Sequence, residues 1–528
     1  MVPHTTLRSG KYPMARVLLS GAMVVDGSGT PARRADVLVE DERVAEVGVV
    51  APSPGMEVVE CTGLIVAPGF IDVHSHSDLE ALEHRAEKVR QGVTTEVVGN
   101  CGFSLFPAVP SSVLVPSFDI FGRRRDRQWK DAARYFRDVD GSGSRTNIAA
   151  LTGHSTLRAH VAGTRAGKLD SASEAELHKQ LSLCLEQGAK GLSTGLNEVP
   201  SSYADFGELL GLCRIARRYG ALYTSHLRDY KFRFVEAVGE ALDLGRKAPI
   251  AVELSHLQAV GRRNWHKMDT VLELIEQARR EGVEVGIDAY PYVAGSAHAT
   301  WALEGGTGPL LARLSEPDTR SRIVEETEAG MSNTWADIVV ASAVPITLEG
   351  AIGQSVQQVA DERGCSGVDA ALDLLRESNA AVRIISFNQS EENLRKVLTH
   401  PLTAIITDGL VTEGKCHPRT FGTYPTFLGK FVREKKWLTL EEAVHKITTL
   451  PARRFKLDRR GTLERGSWAD IAVFDAARIG TRSDYAEPDH RPDGIAHVLV
   501  NGSFVIRSGE LLEDRHPGVS LRHLPGNG

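Results

Sequence analysis

Between residues 67 and 451 the chain repeats one pattern, in which a short apolar run, a polar loop and a segment with apolar residues three or four positions apart follow one another. A short apolar run between turn residues predicts a buried strand, and the wider spacing predicts an amphipathic helix. Eight such runs end near His76, Val98, His154, Leu196, His226, His256, Asp288 and Asp408. Eight strand–helix units predict an α/β protein built on a (β/α)8 TIM barrel.

A different pattern flanks this region at both ends of the chain. Residues 1–66 and 452–528 contain short alternating or apolar runs separated by turn residues, including an Asn501-Gly502 turn that is typical of a β-hairpin. Neither end is large enough to bury the face of a sheet alone, so we expect the two ends to form one small discontinuous β-sandwich. Residues 1–14 have no periodicity, and we expect a disordered leader there.

The interval between the seventh and eighth predicted strands is much longer than the others. It spans about 120 residues and contains several helical patterns, including Gly367–Ser378 and Glu391–Thr399. We therefore expect a metal-dependent barrel domain at residues 67–451 with an insertion at about 295–385. A long insertion at this point of a barrel is expected to form a subdomain or lid over its mouth.

The first predicted strand ends in His74-Ser75-His76, which indicates metal binding. Alternate side chains of a strand share a face, so the two imidazoles point the same way with Cα atoms about 6.5–7 Å apart. Catalytic groups of such barrels lie at the C-terminal ends of the strands. Other strand ends carry the remaining candidate ligands, which are Cys101, His226, His256 and Asp408. Both of these later histidines lie in a Ser-His-Leu tripeptide.

Six candidate ligands are too many for one catalytic zinc ion and enough for two neighbouring sites. We expect two groups that share the Cys101 thiolate, with His74, His76 and Asp408 in one and His226 and His256 in the other. Bound zinc polarises a carbonyl and lowers the pKa of water to about 7. We expect Asp408 to take the proton of that water and to return it to the leaving nitrogen.

Composition narrows the range of partners. The chain has 528 residues, 42% hydrophobic and 25% charged, with a net charge of −6, and this mild acidity argues against nucleic acid or an anionic membrane as a partner. Six single cysteines do not resemble a disulfide framework, and no long apolar run indicates secretion or membrane spanning. We expect a cytoplasmic protein that acts on a small molecule. The sequence does not determine the oligomeric state.

Taken together, these motifs resemble those of the N-acyl-D-amino-acid deacylase (D-aminoacylase) family of the amidohydrolase superfamily. The resemblance extends from about Val17 to about Leu511, which is nearly the whole chain. Its most specific segments are residues 67–76, 99–102, 191–196, 288–292, 407–409, 417–425 and 466–470. The cysteine of Gly99-Asn100-Cys101-Gly102 marks this family more sharply than the His-x-His motif, which belongs to the superfamily at large.

The resemblance implies a zinc-dependent hydrolase that cleaves the linear amide of an N-acyl-D-amino acid, or of a related N-acyl compound, to a carboxylate and a free amine. It also implies that Asp408 is the acid/base. Two zinc sites of unequal strength are implied: a tight site at Cys101, His226 and His256, and a weaker or vacant one at His74, His76 and Asp408.

Substrate binding is where this chain departs from the family pattern. Such relatives hold the substrate carboxylate with a tyrosine, an arginine and a lysine, and Tyr290 and Arg419 match the first two by motif. The lysine commonly follows the sixth-strand histidine in Ser-His-x-Lys, whereas this chain has Gln258 there. A carboxamide can donate a hydrogen bond but carries no charge, so it binds an anion more weakly. The exact substrate therefore stays open.

Two other functions remain as alternatives. A cyclic amidohydrolase of the hydantoinase or dihydroorotase type normally bridges its metals with a modified lysine at the end of strand four, whereas Lys190 lies near the start of that predicted strand. A non-catalytic scaffold of the same fold is expected to have lost metal ligands. All six candidate ligands are present here, so we prefer the deacylase interpretation.

Overall fold

The computed structural model describes residues 16–110, 118, 120–121, 127–298, 317–342, 346–379, 381–411 and 414–523. Eight parallel strands occupy the middle of the chain, and each pairs with the next one in sequence. Numbered one to eight, they are Phe70–Asp72, Val93–Val98, Asn147–Ala150 with its continuation Thr152–Gly153, Gly191–Gly195, Leu222–His226, Val252–Leu254, Val285–Ala289 and Thr403–Ile405. Nearly all of their residues are buried, which explains why they appear in the sequence as apolar runs.

The eight strands form two parallel sheets that meet at strand three. Asn147–Ala150 pairs with strand two, and its continuation Thr152–Gly153 pairs with strand four. Backbone contacts also join the far ends of the two sheets, because Ser75 bridges Gly409 and the Asp408 N–H donates to the His74 carbonyl at 2.9 Å. The first and last strands therefore meet beside two of the candidate ligands. The prediction of an α/β protein with parallel strands is confirmed.

Helices follow most of these strands. Phe206–Arg218 is representative, because it begins after Asp205, whose carboxylate accepts the Glu208 N–H at 2.8 Å, and it buries Leu209 and Leu212. The α-helices outside the insertion are Ala132–Ser142, His154–Ala162, Ser171–Glu186, Phe206–Arg218, Phe234–Lys247, Lys267–Arg280, Glu391–Thr399, Arg419–Thr426, Leu440–Ile447 and Thr449–Arg454. Shorter 3-10 helices lie at Glu80–Glu83, Val89–Gln91, Ser201–Tyr203 and Arg262–Asn264, and Phe427–Glu434 is a π-helix.

A nine-stranded sheet combines both ends of the chain. Its strands are Arg16–Val24, Arg33–Glu40, Arg43–Gly48, Met56–Glu60, Ile65–Pro68, Ile471–Phe474, Ile495–Val500, Ser503–Arg507 and Glu510–Leu511. Ile65–Pro68 pairs antiparallel with Ile471–Phe474, so the two ends share one backbone ladder. Asn501 and Gly502 form the predicted hairpin turn, with φ angles of 47° and 76° that match a type I′ turn. The expected leader at residues 1–14 lies outside the described residues.

The insertion between strands seven and eight is a separate α/β layer. Its antiparallel strands are Ala294–His298, Arg383–Phe387 and Ile338–Ser342, and its helices are Pro317–Gly330, Trp335–Asp337, Ile346–Ala351, Val356–Arg363 and Gly367–Glu377. It buries its own apolar cluster, which includes Val340, Leu372 and Ile384. The predicted helix over residues 367–378 is present at Gly367–Glu377. Residues 299–316, 343–345 and 380 of this region lie outside the described part.

Within the described ranges, no helix is both long enough and apolar enough to cross a lipid bilayer.

Candidate metal centre and active site

His74 and His76 follow strand one and lie where the C-terminal ends of the strands meet. Both side chains are buried, and their ring centroids lie 5.4 Å apart. Asp408, which follows strand eight, places Oδ1 3.1 Å from His76 Nε2 and 3.6 Å from His74 Nε2. Cys101 Sγ lies 3.3 Å from His74 Nε2. These four residues offer ligand atoms that all lie within 4.8 Å of one another, as one ion requires.

Cys101 also belongs to a second group of ligand atoms. Its Sγ lies 3.5 Å from His226 Nδ1 and 3.6 Å from His256 Nε2. Zinc bonds of about 2.3 Å to sulfur and about 2.0–2.1 Å to nitrogen, at a tetrahedral angle, place sulfur and nitrogen about 3.5 Å apart. The spacing of these three ligand atoms therefore fits a tetrahedral zinc ion, with one coordination position left for water or substrate.

Three of the candidate ligands have an unusual backbone conformation. Cys101, His256 and Asp408 adopt φ angles of 53°, 34° and 46°, a region that residues other than glycine rarely occupy. Gly195 permits the close approach at the cysteine, because a Cβ at that position would lie 2.2 Å from the Cys101 carbonyl oxygen. Such strain persists only where the surrounding structure enforces it, and it concentrates at functional sites.

At His74 burial lowers the pKa, but the neighbouring Cys101 and Asp288 outweigh burial and raise it. Burial dominates at the other three candidate histidines: it lowers the pKa of His226 to about 3 and that of His76 to about 4, and it holds the pKa of His256 well below the usual range. All three imidazoles are therefore neutral near pH 7, which is the form that binds metal. Burial also raises the pKa of the Cys101 thiol, an effect that the neighbouring His74 partly offsets.

Asp408 is held as a carboxylate by Arg419. Burial alone would raise its pKa, but the guanidinium, with Nη1 2.9 Å from Asp408 Oδ2, and the hydrogen bond from His76 outweigh burial. The pKa of Asp408 therefore lies well below its ordinary value, and the group is an ionised carboxylate at neutral pH.

Asp288, at the end of strand seven, forms hydrogen bonds with two of the candidate ligand residues. Its Oδ2 lies 3.3 Å from His74 Nδ1, and its Oδ1 accepts the His256 backbone N–H at 2.5 Å. A carboxylate on the second ring nitrogen fixes the orientation of a metal-binding imidazole. From the sequence, Asp288 is predicted only as a strand end, with no role at the site. The available signal was an acidic residue at the end of a buried strand.

Several polar atoms of the centre have no partner within the protein. Among the described residues, His76 Nδ1, His226 Nε2 and His256 Nδ1 are buried and make no hydrogen bond. Buried polar atoms are normally paired, so unpaired ones mark places where a ligand or water completes the network.

The predicted substrate-binding residues line the same cavity as the candidate ligands. Tyr290 donates its hydroxyl to Gln258 Oε1 at 3.2 Å, and the Arg419 guanidinium lies 4.6 Å from the centre of the Tyr290 ring. Burial raises the pKa of Tyr290 to about 12, so the phenol remains a hydrogen-bond donor. All nine predicted site residues therefore lie around one cavity or directly beneath it.

Some residues that line the cavity were not predicted from the sequence. Arg383 and Asn388 reach the cavity from the end of the insertion, and Asn197 and Glu198 reach it from the loop after strand four. These residues lie in loops or at strand ends that carry no motif, and no signal in a single sequence distinguishes them from other polar residues. Only the folded insertion brings Arg383 and Asn388 to the mouth of the strands.

Lys190 lies at the start of strand four, as the sequence indicated. Its Nζ donates to the Lys456 carbonyl at 3.1 Å, and the residue is not among those that line the cavity. It therefore cannot bridge two metal ions in the way that a modified lysine does in cyclic amidohydrolases.

Known proteins share this arrangement over nearly their full lengths. A model of an amidohydrolase family matches residues 57–212 and 251–506. The chain is 36% identical over 508 residues, or 96% of each chain, to an N-acyl-D-glutamate deacylase of Alcaligenes xylosoxydans xylosoxydans. It is 33% identical over 489 residues to a D-aminoacylase of the same organism, covering 92% of this chain and 93% of the relative.

Among solved structures, it resembles an N-acyl-D-glutamate deacylase from Bordetella bronchiseptica complexed with zinc and a phosphonate inhibitor. That match has a TM-score of 0.85 and 34% identity, and it covers 96% of this chain and 99% of the other. With this similarity over nearly the whole length, the chain belongs to the amidohydrolase family, within the group that contains the N-acyl-D-amino-acid deacylases.

Proposed function

We propose that this protein is a zinc-dependent deacylase that hydrolyses the linear amide of an N-acyl-D-amino acid or a closely related N-acyl compound. The observation that carries the proposal is the position of Cys101 Sγ, 3.5 Å from His226 Nδ1 and 3.6 Å from His256 Nε2. That spacing suits a tetrahedral zinc ion with an open position. The relatives named above, which act on N-acyl-D-amino acids by their names, support the choice of substrate.

Cys101, His226 and His256 would hold the tight zinc ion, and His74, His76 and Asp408 a weaker second one. When bound, zinc polarises the acyl carbonyl and lowers the pKa of water to about 7. The Asp408 carboxylate accepts a proton from the attacking water as its oxygen bonds to the acyl carbon. Asp408 then returns this proton to the nitrogen as the carbon–nitrogen bond breaks, which yields a carboxylate and a free amine.

Arg419 and Tyr290 bind the substrate carboxylate in this proposal. Arg419 offers a planar cation that pairs with Asp408, so this one side chain contacts both the substrate carboxylate and the acid/base. Gln258 occupies the position where a lysine is common and contributes a neutral carboxamide, which makes the arginine the principal cation of this subsite.

We also infer that the two parallel sheets form one closed (β/α)8 barrel at residues 67–451. The Ser75–Gly409 bridge between strands one and eight supports closure. The shared ladder of Ile65–Pro68 and Ile471–Phe474 supports a second, β-rich domain built from residues 1–66 and 452–528. The six cysteines are spread singly along the sequence, which supports a reducing, cytoplasmic location.

The test is a substrate screen on zinc-loaded protein. N-acetyl and N-formyl derivatives of D- and L-amino acids are assayed for release of free amine, with hydantoin and dihydroorotate as cyclic controls. We expect turnover of at least one linear N-acyl-D-amino acid. Turnover restricted to ring substrates would support a cyclic amidohydrolase instead, and purified protein without zinc and without activity would support a scaffold.

A cysteine pair provides the matched control. We expect Cys101→Ala to lose both zinc and activity, because it removes the sulfur shared by both ligand groups. Cys213→Ala removes a buried thiol from the helix Phe206–Arg218, away from the cavity, and is expected to keep both. Retention of full zinc content by Cys101→Ala would contradict the assigned centre.

A further inference from the structure

Asn388 is a buried polar side chain whose carboxamide has no partner. The residue is 0% exposed, and in the described part of the chain neither Oδ1 nor Nδ2 makes a hydrogen bond. A buried donor and acceptor left unpaired are unfavourable, and native structures keep such groups where a ligand or water completes them. Asn388 is therefore a candidate for contact with substrate.

The position of Asn388 supports contact with substrate. It lines the same cavity as His226, His256 and Arg419. The backbone carbonyl of Asn388 accepts hydrogen bonds from the Gly261 N–H at 2.8 Å and from Trp265 Nε1 at 3.0 Å. These bonds fix the backbone, so the side chain is presented to the cavity from a rigid support.

Gly295 keeps space open beside this carboxamide. A Cβ at Gly295 would lie 3.1 Å from the Tyr290 hydroxyl and 3.9 Å from Asn388 Nδ2. The absence of a side chain at residue 295 therefore leaves room for a ligand between Asn388 and the residues proposed to bind the substrate carboxylate.

A carboxamide offers one acceptor and one donor group, so its best partner offers the same pair in reverse. A carboxamide on the substrate satisfies both atoms of Asn388. A carboxylate satisfies only the donor and repels the acceptor, and an aliphatic group satisfies neither. Exchanging the positions of oxygen and nitrogen in Asn388 does not change this complementarity.

We propose that Asn388 is a specificity-determining residue that binds a primary carboxamide at the end of the substrate side chain. This inference rests on the proposed deacylase function. The preferred substrates are then N-acyl-D-amino acids of the glutamine or asparagine type. Arg383 also lines the cavity, and its cation favours an acidic side chain, which is the competing outcome of the test.

The test compares three side chains on zinc-loaded protein. We measure kcat/KM for N-acetyl-D-glutamine, N-acetyl-D-glutamate and N-acetyl-D-methionine. A site built to hydrogen-bond a substrate group discriminates strongly against analogues that lack it, so we expect the glutamine derivative to exceed the methionine derivative by about 100-fold. Asn388→Leu is expected to remove most of this preference by lowering the glutamine value toward the methionine value.

Controls separate this inference from the proposed function. Gln357→Leu removes an amide that, within the described residues, donates to Asp361 of the same insertion, and it should leave all three values unchanged. If Asn388→Leu does not fold, Asn388→Ala provides the same comparison. Turnover of the glutamate or methionine derivative at or above the glutamine rate overturns the role of Asn388 alone. Absence of turnover with all three overturns the deacylase function and this inference together.

Discussion

Two buried polar clusters lie close together in this protein, and they differ in how completely they pair their own atoms. Lys88 Nζ donates to Asp72 Oδ2 at 2.6 Å and to Ser75 Oγ at 3.0 Å, and also bonds the Thr407 hydroxyl. Glu96 accepts from the hydroxyl of Ser75 at 2.8 Å. Among the described residues, no buried side-chain atom of this Lys88 cluster lacks a partner.

The candidate metal centre shows the opposite arrangement. His76, His226 and His256 each keep a buried ring nitrogen without a partner in the described structure, and Arg419 Nε is likewise unpaired. These ring nitrogens are opposite those that face Cys101 or Asp408, so water, and not the metal ion, would complete their bonding. Complete internal pairing is typical of a structural cluster, whereas the candidate metal centre leaves polar atoms to groups outside the protein. Substitutions in each cluster test this difference.

Replacing the proposed acid/base should have the largest effect on activity. Asp408→Asn keeps the shape of the side chain but cannot accept a proton at neutral pH, so we expect kcat to fall about 10³-fold. Steady-state kinetics on the best substrate of the screen measure this loss, and zinc analysis checks that the Cys101 group still binds its ion. A decrease of less than tenfold would remove Asp408 from the proposed role.

Removing the cation of the Lys88 cluster should have the largest effect on stability. Lys88→Met leaves Asp72 and Glu96 buried without their ammonium partner, which is expected to destabilise the protein by about 3–5 kcal/mol. Denaturant unfolding measures the change. Adding Asp72→Asn to Lys88→Met removes one of the stranded charges and should recover part of the loss. A Lys88→Met protein that is as stable as wild type but impaired in catalysis would show that the Lys88 cluster serves the chemistry and not the fold.

Arg419→Lys tests the connection between the acid/base and the substrate carboxylate. Lysine keeps the charge but loses the planar, bidentate geometry, so we expect KM to rise about tenfold while the protein folds normally. The variant is compared with wild type on an N-acyl-D-amino acid and on the matching N-acyl amine, which has no carboxylate. An equal effect on both compounds would show that Arg419 acts only through Asp408.

The smallest predicted effect is a dependence of the free energy of unfolding on pH, with a slope of about 1 kcal/mol per pH unit. Burial lowers the pKa of Lys190 to about 8, whereas an unfolded lysine titrates near 10.5. Between these values the unfolded chain binds the extra proton, so this group makes the protein more stable as pH rises from 8 to 10.5. Below pH 8 its contribution is constant. Unfolding of wild type and Lys190→Met at several pH values measures the difference in slope.

The clustering of the candidate ligands could be predicted from the sequence because their positions follow local rules. His74 and His76 share a face of an extended chain, and Cys101, His226, His256 and Asp408 all follow apolar strands. Parallel strands in sequential order bring such positions to one edge without further information. The fold class followed from the same regular alternation of strand and helix.

Other features depend on contacts that no local pattern reports. Asn388 reaches the cavity only because the insertion folds back over the strand ends. The Lys88 cluster joins residues up to 335 positions apart, although acidic residues inside the buried strands Phe70–Asp72 and Val93–Val98 were a usable signal of it. Buried charges need partners, and only the three-dimensional fold identifies them.

The ladder between Ile65–Pro68 and Ile471–Phe474 has a consequence for synthesis on the ribosome. Because the two strands are about 400 residues apart, the earlier one emerges long before its partner. Until then, one edge of the nascent sheet keeps unpaired backbone groups, which favour pairing with other chains. Maturation of this enzyme therefore depends on protecting an early strand until Ile471–Phe474 has been synthesised.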